Sequence, residues 1–131
     1  MNFMDAVKTC FSKYATFSGR AQRSELWWFV VFVMAGSAVA GWLDTAIFGQ
    51  NVMMVGDMSF AYTVGVLGTI FSLATLLPSI AVYVRRPHDL DKSGWWILIG
   101  IIPLVGIIIL IVWFASKGTE GDNRFGPDPL A

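Results

Sequence analysis

The sequence predicts an all-α membrane protein, with an N-terminal interfacial amphipathic helix followed by three transmembrane helices, and three observations carry that prediction. Hydrophobic residues make up 56% of the chain and charged residues only 14%, against roughly 25% charged in ordinary soluble domains. The stretches 26–43, 58–84 and 93–116 hold no charged residue at all, and each approaches or exceeds the roughly 20 helical residues that cross a hydrocarbon core of about 30 Å. Aromatic rings stand where such spans meet the headgroups: Trp27-Trp28 and Trp95-Trp96 open the first and third stretches, and Tyr83 and Trp113 lie near the ends of the second and third.

Each element follows in order within one membrane domain, 1–131. In residues 1–17, a rotation of 100° per residue gathers Phe3, Met4, Val7, Cys10, Phe11, Tyr14 and Phe17 on one side and Asp5, Lys8, Thr9, Ser12, Lys13 and Thr16 on the other. That is an amphipathic helix, expected along the inner membrane surface with its lysines toward anionic lipid, or packed on the bundle. Ser18-Gly19 breaks it. The first span is placed at 26–48, reaching past Asp44; Asp5 and Glu25 are too acidic for the leader of a cleaved signal peptide, so the helix stays. The pairs Gly36/Ala40, Ser37/Gly41 and Ala61/Gly65 are spaced by four residues and allow close helix approach.

The second span is placed at 58–84 and the third at 93–116. Pro78 and Pro103 each remove a backbone donor and predict kinks. Lipid offers no partners to a strand's backbone, so spans in this arrangement are helical. The polar tail 117–131 is turn chemistry throughout, with Gly118, Gly121, Asn123, Gly126, Pro127 and Pro129.

Charge then orients the chain. Lys8, Lys13, Arg20 and Arg23 precede the first span; Arg85, Arg86 and Lys92 follow the second; none lies between Asp44 and Asp57. The positive-inside rule places the N-terminus in the cytoplasm, and a single crossing by 93–116 puts the tail on the far side.

Several chemistries are excluded. Nine basic and nine acidic residues cancel, which removes the field a nucleic-acid binder needs. The lone Cys10 cannot form an internal disulfide. Asp89-x-Asp91-x-Ser93-Gly94 copies half of a calcium loop, but Gly100 stands where its bidentate glutamate belongs. His88-Asp89 lacks the further histidines that a metal hydrolase requires, and no phosphate loop or nucleophile elbow is present. The reading is therefore not an enzyme, with no cofactor and no metal.

What remains is a charged connection and a patterned tail. Arg20 and Arg23, then Arg85, Arg86, His88, Asp89 and Asp91, lie on one membrane side as candidates for lipid or partner contact, and the expectation is a basic collar around Glu25, Asp89 and Asp91, with His88 capping by hydrogen bonds. In the tail, Asn123, Arg124 and Phe125 join the candidates, because Phe125 among polar residues marks an anchor.

Three motifs carry a resemblance. Phe17-Ser18-Gly19-Arg20-Ala21-Gln22-Arg23-Ser24-Glu25-Leu26-Trp27-Trp28, then Arg85-Arg86-Pro87-His88-Asp89 with Ser93-Gly94-Trp95-Trp96, then Asn123-Arg124-Phe125-Gly126-Pro127-Asp128-Pro129 together resemble the small bacterial inner-membrane YhaH-like family, a domain of unknown function. The resemblance covers nearly the whole chain and implies a multi-pass protein of the bacterial inner membrane; it implies no catalytic residue. Members usually carry leucine where this chain has Pro87. The functional expectation is a structural, scaffold or regulatory membrane subunit, in contact with anionic lipid and with a second copy or a membrane-protein partner. A transporter or channel component formed by oligomerisation is the alternative.

Overall fold

A computed structural model describes residues 1–130. In chain order the elements are α1 (Phe3–Ser12), α2 (Arg23–Phe48), β1 (Asn51–Val55), β2 (Met58–Tyr62), α3 (Val66–Asp89), a 3-10 helix (Gly94–Ile101) and α4 (Val105–Ala115). Two of them, α2 and α3, are long and apolar enough to cross a membrane. The described residues cluster into two compact units, one of residues 1–31 with 77–130 and one of residues 32–76.

The first unit contains α1, the opening of α2, the end of α3, the 3-10 helix, α4 and the tail. Helix α1 starts where the Asn2 side chain accepts the Asp5 amide at 2.8 Å, filling one of the orphan donors of a helix N-terminus. It docks on α2: Phe3 meets Trp28 edge-on with centroids 5.9 Å apart, Phe11 meets Phe29 at 5.8 Å, and Ala6 and Cys10 are fully buried. Met4 and Tyr14 stay exposed. One stripe of the helix therefore packs on α2, as one of the two expected settings has it, and another faces outward.

Helix α3 does not end at Val84 as expected but continues through Pro87 to Asp89. Pro87 has no amide to give the Tyr83 carbonyl, and two residues on Arg85 O accepts the Ala21 amide at 3.0 Å, which ties the helix end to the linker before α2. The helix then closes with Lys92 N on Pro87 O at 2.9 Å and Asp91 N on His88 O at 3.0 Å, with Asp91 left-handed at φ 58°. This is the Schellman arrangement with aspartate in the position usually taken by glycine or asparagine.

The expectation of one helix over 93–116 is overturned. The Gly94–Ile101 3-10 helix stops before Pro103, which has no amide to give, and Leu104 turns the chain at φ 64°. Helix α4 then runs back, so that Trp96 and Trp113 meet edge-on with centroids 5.7 Å apart and Lys92 Nζ lies 5.0 Å over the Trp113 ring. Gly106 makes the reversal possible, since a Cβ there would fall on the Ile99 carbonyl. Each leg is about 16 Å long, half a hydrocarbon core.

The second unit corrects both the start of the second span and the all-α class. Residues 58–62 form β2, paired antiparallel with β1 from Asn51↔Tyr62 to Val55↔Met58, and the helix begins only at Val66. The two-residue loop Gly56-Asp57 has Gly56 at φ 60°, as a type II′ turn requires. The α2 and α3 segments of this unit contact through a notch and a ring: Gly36 faces the Phe71 ring with no room for a Cβ, and Phe32 and Phe71 have centroids 5.7 Å apart. Of the expected small residues, Gly36 works in this way and Ala40 is buried. Gly41 faces open space and Ala61 lies on β2.

Candidate functional site

Most of the charge that the sequence places in 20–25 and 85–91 converges inside the first unit. Asp89, on the last turn of α3, is the hub. Its Oδ1 accepts Arg20 Nε at 3.0 Å and its Oδ2 accepts Arg86 Nη1 at 2.5 Å, so one carboxylate is shared by two guanidinium groups. Arg20 and Arg86 complete their donor sets on backbone carbonyls. Arg20 Nη1 donates to Gly121 O at 2.6 Å and Gly126 O at 3.3 Å, and its Nη2 donates to Thr119 O at 2.5 Å. Arg86 donates to Ala21 O at 3.2 Å, Phe114 O at 3.2 Å and Ser116 O. Arginine suits this task because its planar fork can serve several acceptors at once.

A second pair lies beside the first. Arg85 Nη1 donates to Glu25 Oε1 at 2.6 Å, and Cys10 Sγ lies 3.8 Å from the same oxygen. Burial, reinforced by the Glu25 charge, pushes the Cys10 thiol up from 9.0 to about 12, so it stays protonated at neutral pH. Arg85 Nε and Nη2 have no partner among the described residues. Arg85 and Arg86 are 0% exposed and Asp89 2%, which leaves the two arginines no surface to present to a lipid phosphate and corrects that expectation for them.

His88 is fixed on three sides. Its Nδ1 lies 2.8 Å from the Gly19 carbonyl, its ring stacks on Phe125 with centroids 4.1 Å apart and planes 4° from parallel, and its own carbonyl accepts Asn123 Nδ2 at 2.9 Å. These contacts reach the linker after α1 and the tail. Gly118 lets the tail pass, since a Cβ would collide with the Asp89 carboxylate, and Thr119 N donates to Asp89 O at 2.7 Å.

The structure thus brings Arg20, Arg85, Arg86, His88, Asp89, Asn123 and Phe125 into one cluster, and leaves Arg23, Asp91 and Arg124 at its edge. Arg23 is not part of the ion-pair collar; its Nη1 donates to Ala115 O at 3.2 Å. Asp91 pairs with Arg124 at 3.4 Å, both side chains largely in solvent. Sequence reasoning passed over Gly118 and Thr119, whose only signal is their place in a turn-rich tail. The first span, read as reaching past Asp44, gives that carboxylate no role. In the second unit Asp44 is 1% exposed and accepts the Leu67 and Gly68 amides at 2.8 and 2.9 Å, capping the positive end of α3. Beside it Ser37, Thr63, Thr69 and Ser72 line a polar cavity of about 400 Å³.

Large apolar side chains along α2 and α3 face outward, among them Met34 at 67%, Trp42 at 70% and Leu73 at 65% exposure, while Arg20, Glu25, Arg85, Arg86 and Asp89 are buried and paired. That is the reverse of a soluble domain and defines a small helical membrane protein. The chain belongs to the family described as "Protein of unknown function (DUF805)", which matches residues 14–127. It is similar to the inner membrane protein YhaH of Escherichia coli (strain K12), 40% identical over 126 residues that span 96% of this chain and 97% of that protein. The inner membrane protein YhaI of the same strain is 39% identical over 116 residues, 88% of this chain and 87% of that protein. No solved structure matches the chain.

Proposed function

We propose that this protein is a multi-pass subunit of the bacterial inner membrane with a structural or regulatory, non-catalytic role. In this reading α2 and α3 cross the bilayer, the hairpin 94–115 dips into it and returns, and both termini are cytoplasmic. All nine Lys and Arg residues then lie on the cytoplasmic side, because the connection from Gly49 to Gly65 contains none. This is a stronger positive-inside pattern than three crossings give. The two relatives named as inner membrane proteins support the same compartment.

The observation that carries the role is the Asp89 network. It ties the linker after α1, the end of α3, the end of α4 and the tail into one charged knot whose groups are consumed by each other. Such a knot holds a shape and contributes no reactive group. The outward side of α1, with Lys8 and Lys13 among its polar residues, is left for anionic lipid. Purification in mild detergent tests the role: a homo-oligomer or a stoichiometric membrane-protein partner is expected, and an inert monomer counts against it.

A transporter or channel component is the second reading, favoured by the polar cavity at Asp44. Solute flux into vesicles reconstituted with the protein, lost in Asp44→Asn, is the outcome that would select it.

A further inference from the structure

Between α3 and the 3-10 helix lies a groove of about 500 Å³, lined by Phe17, Ile80, Val84, His88, Ser93, Gly94, Trp95, Ile97 and Leu98. It lies wholly within the first unit. Ile80, Val84 and His88 are spaced by four residues, so they form one stripe about 12 Å long on a single helix face. The groove is thus apolar along its length and polar at one end, where His88 and Ser93 both line it.

The chemistry of that end is set by the histidine's other contacts. Gly19 offers Nδ1 only a carbonyl oxygen at 2.8 Å, so Nδ1 carries the proton and Nε2 of the neutral ring carries a lone pair. His88 is only 8% exposed, and its Nε2 faces Gly94, a Cβ at which would lie 3.4 Å away. No partner reaches that nitrogen among the described residues. Beside it the Ser93 oxygen accepts the Trp95 amide at 3.4 Å, which leaves its hydroxyl proton free to donate. A lone pair that can take a donor and a hydroxyl that can find an acceptor therefore both line the head of an apolar trough.

We propose that this groove binds a single-chain amphiphile with a hydroxyl head, the hydroxyl donating to His88 Nε2 and accepting from Ser93, and the chain lying along Val84 and Ile80 against Trp95 and Leu98. A hydroxyl is the smallest group that satisfies both partners. A bare hydrocarbon fills the trough but offers the ring nitrogen no donor. The Phe125 stack holds the ring in the plane that aims Nε2 into the groove, so the tail preorganises the site.

The test uses the full chain in detergent micelles and a hexadecanol bearing a mid-chain diazirine as photolabel. Saturable labelling is expected on Ile80, Val84, Trp95 or Leu98, displaced by oleyl alcohol about tenfold better than by its methyl ether, which accepts a hydrogen bond but cannot donate one. Monoolein as a third competitor separates a glyceride head from a simple alcohol, and displacement by either at that advantage supports the site. His88→Phe keeps the ring stack and removes the acceptor, so it is expected to erase the preference for alcohol over ether; Ile80→Trp is expected to block labelling by filling the trough. Equal displacement by alcohol and ether would overturn the proposal and reduce the groove to a seat for bulk lipid. That comparison is made on the unmodified protein and decides the matter even if His88→Phe fails to fold.

Discussion

Asp89 holds two guanidinium groups out of water, and its replacement is the most damaging single change the cluster admits. Asp89→Asn keeps the shape and removes the charge, leaving Arg20 and Arg86 buried without a counterion. A loss of about 3–5 kcal/mol is expected in unfolding of the detergent-solubilised protein, whereas Arg23→Ala, which gives up one exposed bond to Ala115 O, is expected to cost no more than about 1 kcal/mol. Equal losses in the two variants would contradict the shared-carboxylate account. Cys10 gives a second residue-scale prediction. Its thiol is raised from 9.0 to about 12 in the fold, so the burial of its neutral form stabilises the protein below pH 9 and that contribution is lost as pH rises from 9 towards 12. Alkylation of the folded protein at pH 8 should be at least about a hundredfold slower than that of a free cysteine, and a normal rate would show that the stripe of α1 carrying Cys10 is not docked. The candidates themselves were legible, because Arg85-Arg86 and His88-Asp89 are conspicuous in an apolar chain. Their partners were not: Arg20 and Asp89 are 69 residues apart, and nothing in a linear pattern says which of several nearby charges will share a carboxylate.

At the scale of elements, the third apolar stretch shows what periodicity cannot supply. Every position from Trp95 to Phe114 suits lipid, so one long helix and two short antiparallel ones expose the same kind of surface, and composition does not choose between them. Pro103 marked the weak point, but what converts a kink into a reversal is Gly106 against Ile99. Gly106→Ala is therefore expected to destabilise the protein by about 1–3 kcal/mol through a steric clash, a cost a glycine in a straight helix would not incur, since alanine there is favourable. A rise in thermal stability would favour the straight helix. The second span was misplaced for a related reason: Met58–Tyr62 is as apolar as a helix, and only its pairing with Asn51–Val55 across the Gly56 turn reveals a strand. Once α3 starts at Val66, Asp44 becomes its cap, and Asp44→Ala should cost about 0.5–2 kcal/mol, read as lost helicity and thermal stability by circular dichroism.

For the molecule as a whole, the hairpin 94–115 decides where the chain ends. If it returns, the tail reaches Arg20 and Asp89, and all nine basic residues share one side of the membrane with the N-terminus. If it crosses, the contacts of Arg20 with Thr119, Gly121 and Gly126 cannot form, and the Asp89 network loses its tail. The family's three sequence motifs take on a joint meaning here, because they are the three strands of chain that the network ties together. The most direct measurement is a pair of reporter fusions in cells, alkaline phosphatase and a green fluorescent protein, each joined after Leu130. The account predicts a fluorescent protein fusion and an inactive phosphatase, a cytoplasmic C-terminus; an active phosphatase and a dark fluorescent protein would put the tail across the membrane and contradict it.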